Sequence, residues 1–289
     1  MNGLLNILKP PGMTSHDVVS FVRRNYRIKR VGHAGTLDPA AAGVLPVALG
    51  QATRLLEYLT ADNKSYRVEA TFGFETDSGD DTGTVTSRSS GMVALPRAEI
   101  ETALASFVGS IQQVPPMYSA IKVDGKKLYE LARDGIKVAI EPRNIFISDI
   151  NLIKVEDEKI VFDVTCSKGT YIRSLCIDIG RKLGCLATMS FLVRTRVGSF
   201  SLSEANTLED LVGGSSEFIL PADKFIAMPE VFLNEQQVWA FKNGQLVECI
   251  VDEDVRLIKV YSADKAFIGI ASKDSASSAI KPVKVLSSV

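Results

Sequence analysis

Between Val31 and Leu49 the chain reads VGHAGTLDPAAAGVLPVAL, and Asp38 is the only acid in that stretch. No further charge follows Asp38 until Arg54. One carboxylate beside His33 and Thr36, set against an apolar run, is a way of presenting a catalytic acid or nucleophile. Gly32 and Gly35 stand just upstream, where a backbone takes φ > 0 or lets a ligand come close. Pro39 holds Asp38 extended. Spacing alone leaves a second reading open, because an Asp-Pro pair also makes an ordinary turn. Two more side chains could join Asp38. Tyr66 sits on an alternating stretch, as a core aromatic or as a wall of a site. Arg173 falls in the first turn of a helix that Thr170 is placed to cap, and a cation there opposes the helix dipole, so it calls for an anionic partner.

Other chemistries lack their residues. Only His16 and His33 are present, so neither a Ser/His/Asp set nor a metal-binding spacing emerges. The four cysteines, Cys166, Cys176, Cys185 and Cys249, form no C-x-x-C pair, which gives no sign of zinc or of a disulfide framework and suits a reducing cytoplasm. No Gly-rich phosphate loop occurs, so no nucleotide cofactor is expected. Glu75, Asp77, Asp80 and Asp81 could suggest calcium but lack the D-x-D-x-D-G-x₅-E pattern, and a hairpin loop ordered by Asx-type turns fits them better.

The string Gly32-His33-Ala34-Gly35-Thr36-Leu37-Asp38-Pro39 resembles, without departure, the G-H-x-G-T-L-D-P motif that carries the catalytic aspartate of the TruB family of pseudouridine synthases. Further stretches resemble that family. Lys9, Pro10, Gly12, Thr14 and Ser15 match K-P-x-G-x-T-S, and Lys64-Ser65-Tyr66 match K-x-Y. GFETDSGDDTG matches G-x-x-T-D-T-x-D-x-x-G, with Ser78 in place of a threonine, and Gly169 to Ser174 match G-T-Y-I-R-S. PPMYSAIK, from Pro115, is similar to the segment that covers the RNA. The likeness is strong over residues 1–200 and weak beyond.

The resemblance implies an isomerase that turns uridine into pseudouridine in the T-loop of tRNA, at position 55, without cofactor or metal. The N1–C1′ bond breaks, the bound uracil rotates, and C5 joins C1′. Asp38, Tyr66 and Arg173 are then the catalytic residues, with Arg173 keeping Asp38 ionised against burial. His33, Lys9, Lys64, Tyr171 and Leu192 are expected to contact the substrate, the last two as walls of a pocket for a base taken out of its stack. Whether Asp38 attacks the ribose or the base, or elimination occurs across the sugar, stays open. So do two other activities: an RNA chaperone that refolds tRNA without catalysis, and a nucleoside hydrolase acting on small substrates.

These residues need a scaffold. The chain has 289 residues, 46% hydrophobic and 23% charged, enough for a large and a small domain. Net charge is −1, against indiscriminate coating of nucleic acid, yet residues 1–33 hold six Lys or Arg against Asp17 alone. The N-terminus is no secretory signal, and the uncharged run Pro39–Thr53 is too short to span a bilayer. Leu4 to Leu8, Ser65 to Phe74, Ile160 to Cys166 and Leu192 to Phe200 read as strands. Helices are expected after Thr14 or Ser15, over Ala52 to Leu59, from Pro96 through Val108, and after Thr170. Pro115 to Gly135 reads as a strand and short helix in which Lys122, Lys126, Lys127 and Arg133 interleave with Tyr118 and Tyr129, as an RNA-facing flap does. Arg194 and Arg196 are expected to reach phosphates. Gly213 to Ser216 and Pro221 break the pattern. Beyond them Gln236 to Asn243 reads as a helix, and Val255 to Tyr261 and Ala266 to Ala271 as strands. The expected fold is α+β, a mainly antiparallel mixed sheet flanked by helices as in pseudouridine synthases. Residues 1–227 form the catalytic domain, and residues 228–289 a β-rich module that the resemblance makes PUA-like and RNA-binding. tRNA, through its T-arm stem-loop, is the expected partner; no membrane, metal or obligate protein partner is indicated, and a cytoplasmic monomer is expected.

Overall fold

In the computed structural model, residues 1–59, 63–89, 95–123, 125–136, 138–252, 254–274 and 277–286 are described. Asp124, inside the basic stretch, lies outside them.

The chain opens with β1 (Gly3–Lys9), whose Leu4, Leu5 and Ile7 are wholly buried. Prolines 10 and 11 end it. Helix α1 (Ser15–Tyr26) is started by Thr14, not Ser15: the Thr14 hydroxyl accepts the Asp17 N–H at 3.1 Å, and the Asp17 carboxylate accepts the Thr14 N–H at 2.9 Å. This reciprocal pair satisfies two orphan donors. β2 (Val31–His33) and β3 (Ala42–Leu49) flank the Asp38 loop. The helix expected over residues 52–59 is instead a 3₁₀ turn (Gly50–Leu55) followed by the single turn α2 (Leu56–Leu59).

β4 (Lys64–Phe72) buries Tyr66, Val68, Ala70 and Phe72 on one face. Phe74 does not belong to it. Gly73, at φ 99°, turns the chain, and Phe74 opens β5 (Phe74–Thr76), which pairs with β6 (Val85–Arg88) as a separate hairpin. α3 (Arg97–Ala105) ends before Phe107 and Val108, because β7 (Gly109–Gln113) begins there and Val108 is exposed. A small hairpin, β8 (Lys122–Val123) with β9 (Lys126–Lys127), leads into α4 (Leu128–Arg133). β10 (Arg143–Glu156) and β11 (Lys159–Cys166) form a long hairpin, followed by α5 (Ile172–Lys182). β12 (Ala187–Val197) starts earlier than Leu192, and β13 (Phe200–Ser201) folds back on it.

These strands make a nine-stranded sheet in the order β1-β3-β12-β4-β11-β10-β7, with β13 on β12 and β2 on β3. Neighbours are antiparallel except β3 with β12. Strand β3 has one edge on β1 along its length. Its other edge is divided: Val47 to Leu49 pair with β2, while Ala42 and Gly43 pair with β12. The Asp38 loop rises where the two partners part.

The C-terminal part is a five-stranded sheet. β14 (Glu230–Leu233) leads into α6 (Glu235–Lys242), then come β15 (Val247–Glu248), β16 (Leu257–Ser262), β17 (Phe267–Lys273) and β18 (Ala279–Val285), ordered β14-β16-β17-β18-β15. Asn234 caps α6 and Gly244, at φ 78°, follows its end. The two sheets share a core: Leu55, Leu59, Phe200, Ala222, Ile226 and Ile270 belong to one buried cluster. The architecture is mixed α+β, mainly antiparallel, with a β-rich C-terminal unit.

Candidate active site

The loop between β2 and β3 is held from below by four elements. Ser15, at the start of α1, brackets Leu37: its hydroxyl donates to the Leu37 carbonyl at 3.0 Å and accepts the Leu37 N–H at 2.9 Å. The Gly12 N–H and the Lys9 ammonium both donate to the Pro39 carbonyl, at 2.8 and 3.2 Å. The Ala34 N–H donates to the Pro46 carbonyl. From β12, Arg194 donates to the carbonyls of Gly35 and Thr36 at 3.2 and 3.1 Å. Buried carbonyls need partners, and here each anchor point of the loop has one. Gly43 lets β12 come this close, since a Cβ there would lie 2.2 Å from the Arg194 carbonyl oxygen.

So anchored, Asp38 meets Arg173. Arg173 Nε lies 3.0 Å from Asp38 Oδ2; the arginine side chain is 8% exposed and the aspartate 36%. The rest of the guanidinium is not spent on Asp38, so the pair is one-pronged. Nη1 donates to the Ser78 carbonyl at 3.0 Å and Nη2 to the Tyr118 carbonyl at 2.9 Å. Asp80 Oδ2 stands 3.8 Å from Nε as a second carboxylate. The acidic hairpin between β5 and β6 therefore supplies Arg173 with a second anion and a carbonyl. It orders itself through side-chain turns, with Asp80 accepting from the Ser78 hydroxyl and the Thr82 N–H and hydroxyl. The dipole argument called for an anionic partner and the resemblance named Asp38 alone; Asp80 was assigned only to turn formation, because contacts between distant segments leave no local signal.

Gln113, at the end of β7, fixes the start of α5: its side chain accepts the Tyr171 N–H at 2.8 Å and donates to the Tyr171 carbonyl at 3.1 Å. Thr170 does not cap that helix, because its hydroxyl donates to the Ser167 carbonyl at 2.9 Å.

Asp38, Tyr66, Arg173, His33, Lys64, Tyr171 and Leu192 all line one cleft of about 1370 Å³. Burial pushes the Tyr66 phenol up to about 12, against the pull of Arg194. Burial likewise lowers His33, whose Nδ1 is enclosed without a partner. Two expected contacts turn out differently, although Arg194 does line the cleft. Lys9, expected against the substrate, is fully buried and absent from the cleft lining; its ammonium donates to the carbonyls of Pro10, Met13 and Pro39. Arg194, expected at phosphates, is 1% exposed and spends its donors on backbone. Three carbonyls satisfy each cation better than a solvated phosphate could from below the loop.

Exposed cations that do reach the cleft are Arg133, Arg143 and Lys168. In the basic flap Tyr129 lies between Lys127 and Arg133, with 5.3 and 5.4 Å from charge to ring centre. Among the described residues no cluster of His, Cys, Asp and Glu is spaced to hold a metal ion, and no helix is long and apolar enough to cross a membrane.

Comparison with known proteins gives matches along nearly the whole chain. Residues 23–172 match the family described as TruB family pseudouridylate synthase (N terminal domain). Residues 173–226 match the tRNA pseudouridylate synthase B C-terminal domain, and residues 229–286 match Pseudouridine synthase II TruB, C-terminal. The tRNA pseudouridine synthase B of Caldanaerobacter subterraneus subsp. tengcongensis is 48% identical over 272 residues, 93% of this chain and 94% of that one. That of Alkaliphilus oremlandii is 53% identical over 225 residues, 77% of this chain and 75% of its own. Among solved structures, a chain of a Cbf5-Nop10-Gar1 complex superposes with a TM-score of 0.75 at 28% identity, covering 98% of this chain and 84% of that one. A chain of an H/ACA RNP bound to a substrate RNA containing 2'-deoxyuridine gives 0.73 at 26% identity, covering 99% and 85%.

Proposed function

The chain belongs to the TruB family of pseudouridine synthases, and from that membership we propose that it isomerises uridine to pseudouridine in the T-loop of tRNA, at position 55, with Asp38, Tyr66 and Arg173 as its catalytic residues. The observation that carries the chemistry is the 3.0 Å contact between Arg173 Nε and Asp38 Oδ2 at a cleft wall shared with Tyr66. A guanidinium there favours the charged carboxylate, the form that can attack. A cleft of about 1370 Å³ has room for a flipped nucleotide and its neighbours. Leu192 and Tyr171 are its walls against the base, and His33 and Lys64 line the same cleft as Asp38.

Isomerisation needs no net redox change, only a proton lost at C5 and one gained at N1. A tyrosine that takes the C5 proton must already have released its own towards N1, directly or through water, so Tyr66 ends the cycle as it began. The exposed Arg133, Arg143 and Lys168 are placed to meet phosphates at the rim. The five-stranded C-terminal unit serves as a PUA-like RNA-binding module that adds affinity for the whole tRNA, and the work belongs in the cytoplasm, where tRNA is processed.

Incubating unmodified tRNA with the protein and mapping pseudouridine tests this reading. Product at the T-loop uridine, absent with Asp38→Asn, is the expected result. Refolding of tRNA with no pseudouridine formed would favour a chaperone instead, and release of free uracil from nucleosides a hydrolase.

A further inference from the structure

We propose that Arg194 is the positioning residue for proton transfer at Tyr66: a buried guanidinium, locked by three backbone carbonyls, that holds the phenol oxygen and stabilises negative charge on it. The proposal rests on the functional reading above, in which Tyr66 passes through a phenolate.

Arg194 projects from β12 into the place where β2 and β12 part along the edge of β3. Nε donates to the Val44 carbonyl at 2.8 Å, Nη1 to Thr36 at 3.1 Å and Nη2 to Gly35 at 3.2 Å. The side chain is among the largest fully buried ones in the protein. Among the described residues no carboxylate forms an ion pair with it; it stands directly across from Tyr66 in the pairing of β12 with β4, and both line the cleft that holds Asp38. Satisfying three neutral carbonyls does not require a cation. A neutral donor would do so without the cost of burying charge. The charge is therefore accounted for by groups that become or remain anionic beside it.

The titratable and charged groups set about the Tyr66 phenol are Arg194 from β12, Cys166 from β11, Asp38 from the motif loop, Lys64 on the same face of β4, and Arg173 from α5 across the cleft. Burial pushes the Cys166 thiol up to about 11, which keeps it neutral at ordinary pH. Asp38 opposes a phenolate. Of the cations, Arg194 is the one directly across from Tyr66, and it opposes the burial that pushes Tyr66 up to about 12. Because each nitrogen of its fork is tied to backbone, the guanidinium cannot turn away when the substrate enters.

A fluorinated tyrosine at position 66, more acidic than tyrosine, titrates while the protein is folded, and its ¹⁹F signal reports the phenol directly. In Arg194→Gln that titration should move up by at least about one unit, a tenfold weaker acid. Single-turnover pseudouridine formation with natural Tyr66 should fall about tenfold or more, with tRNA binding kept. Arg194→Lys retains a point charge without the planar fork; it should shift the titration less and give an intermediate rate, and it serves if the Gln variant does not fold. A folded variant of either kind whose phenol titrates as in the parent overturns the proposal, even if its rate is low, since that is mere structural support. The titration is read in free protein. If it shifts as expected while the parent forms no pseudouridine, the functional reading fails and the Arg194–Tyr66 coupling stands.

Discussion

Around the nine-stranded sheet three buried cations, Lys9 on β1, Arg173 on α5 and Arg194 on β12, converge on one loop, by way of Pro39, Asp38 and the Gly35–Thr36 carbonyls respectively. In the five-stranded sheet the buried cation is Lys259, and it faces the other way. Its ammonium donates to the Asp223 carbonyl at 3.2 Å and pairs with Glu230 at 2.9 Å, while the Tyr261 hydroxyl donates to the Asp223 carboxylate at 3.0 Å. Around one sheet three buried cations serve the Asp38 loop; in the other the buried cation serves the segment that attaches it. Buried polar groups are costly unless satisfied, so where they are satisfied shows what each sheet has to hold in place.

That contrast can be broken by mutation. Asp38→Asn should reduce pseudouridine formation by at least about 10³-fold. It should change stability by only about 1 kcal/mol, because Asp38 is partly exposed and Arg173 keeps Asp80 and two carbonyls. Product mapping and denaturant unfolding on the same variant check both halves. Arg173→Ala removes the centre of that network and should cost roughly 3–5 kcal/mol as well as activity. In a double-mutant cycle with Asp38→Asn the two stability losses should not add; strict additivity would mean that the side chains do not couple.

On the attachment side, Ile226→Ala opens a cavity in the core shared by the two sheets and should cost roughly 2–5 kcal/mol. Its rate on a saturating T-arm stem-loop should stay that of the parent. A chain ended at Pro221 loses Ala222, Ile226 and Ile270 from that core, so its failure on the stem-loop would count against a supporting role only if it is shown to be folded.

Lys9 gives a pH test. Burial lowers its ammonium from 10.5 to about 8. Between those values the unfolded chain binds the extra proton, so the parent should gain stability relative to Lys9→Met as pH rises from about 8 to 10.5, by on the order of 2 kcal/mol. A flat difference across that window would show that Lys9 is not neutralised by folding. The smallest effect expected is at Glu57–Lys284, which joins the two parts at 2.7 Å with the glutamate 59% exposed. Removing either partner should cost less than about 1 kcal/mol and fade with salt.

The sequence by itself determined the parts whose information is local. The alternation on β4, a cap at Thr14 or Ser15, the breaks at Pro10 and Gly244, and the eight residues around Asp38 were legible because period, cap and motif are each written within a few residues. Phe74 was misplaced on β4 because apolar alternation runs through Gly73 unbroken, and only the backbone shows φ 99° there. The expected helix through Val108 failed similarly, since pairing of β7 with β10 overrides the apolar spacing. The tertiary structure alone decided how Lys9, Ser15, Asp80, Gln113 and Arg194 are used. Each satisfies a backbone group or a charge brought to it from a remote segment: Arg194 bonds carbonyls some 150 residues away in sequence, and Arg173 one 95 away. A cation written in a strand reads as a surface charge until the fold shows which carbonyls it is buried among, and no spacing along the chain carries that.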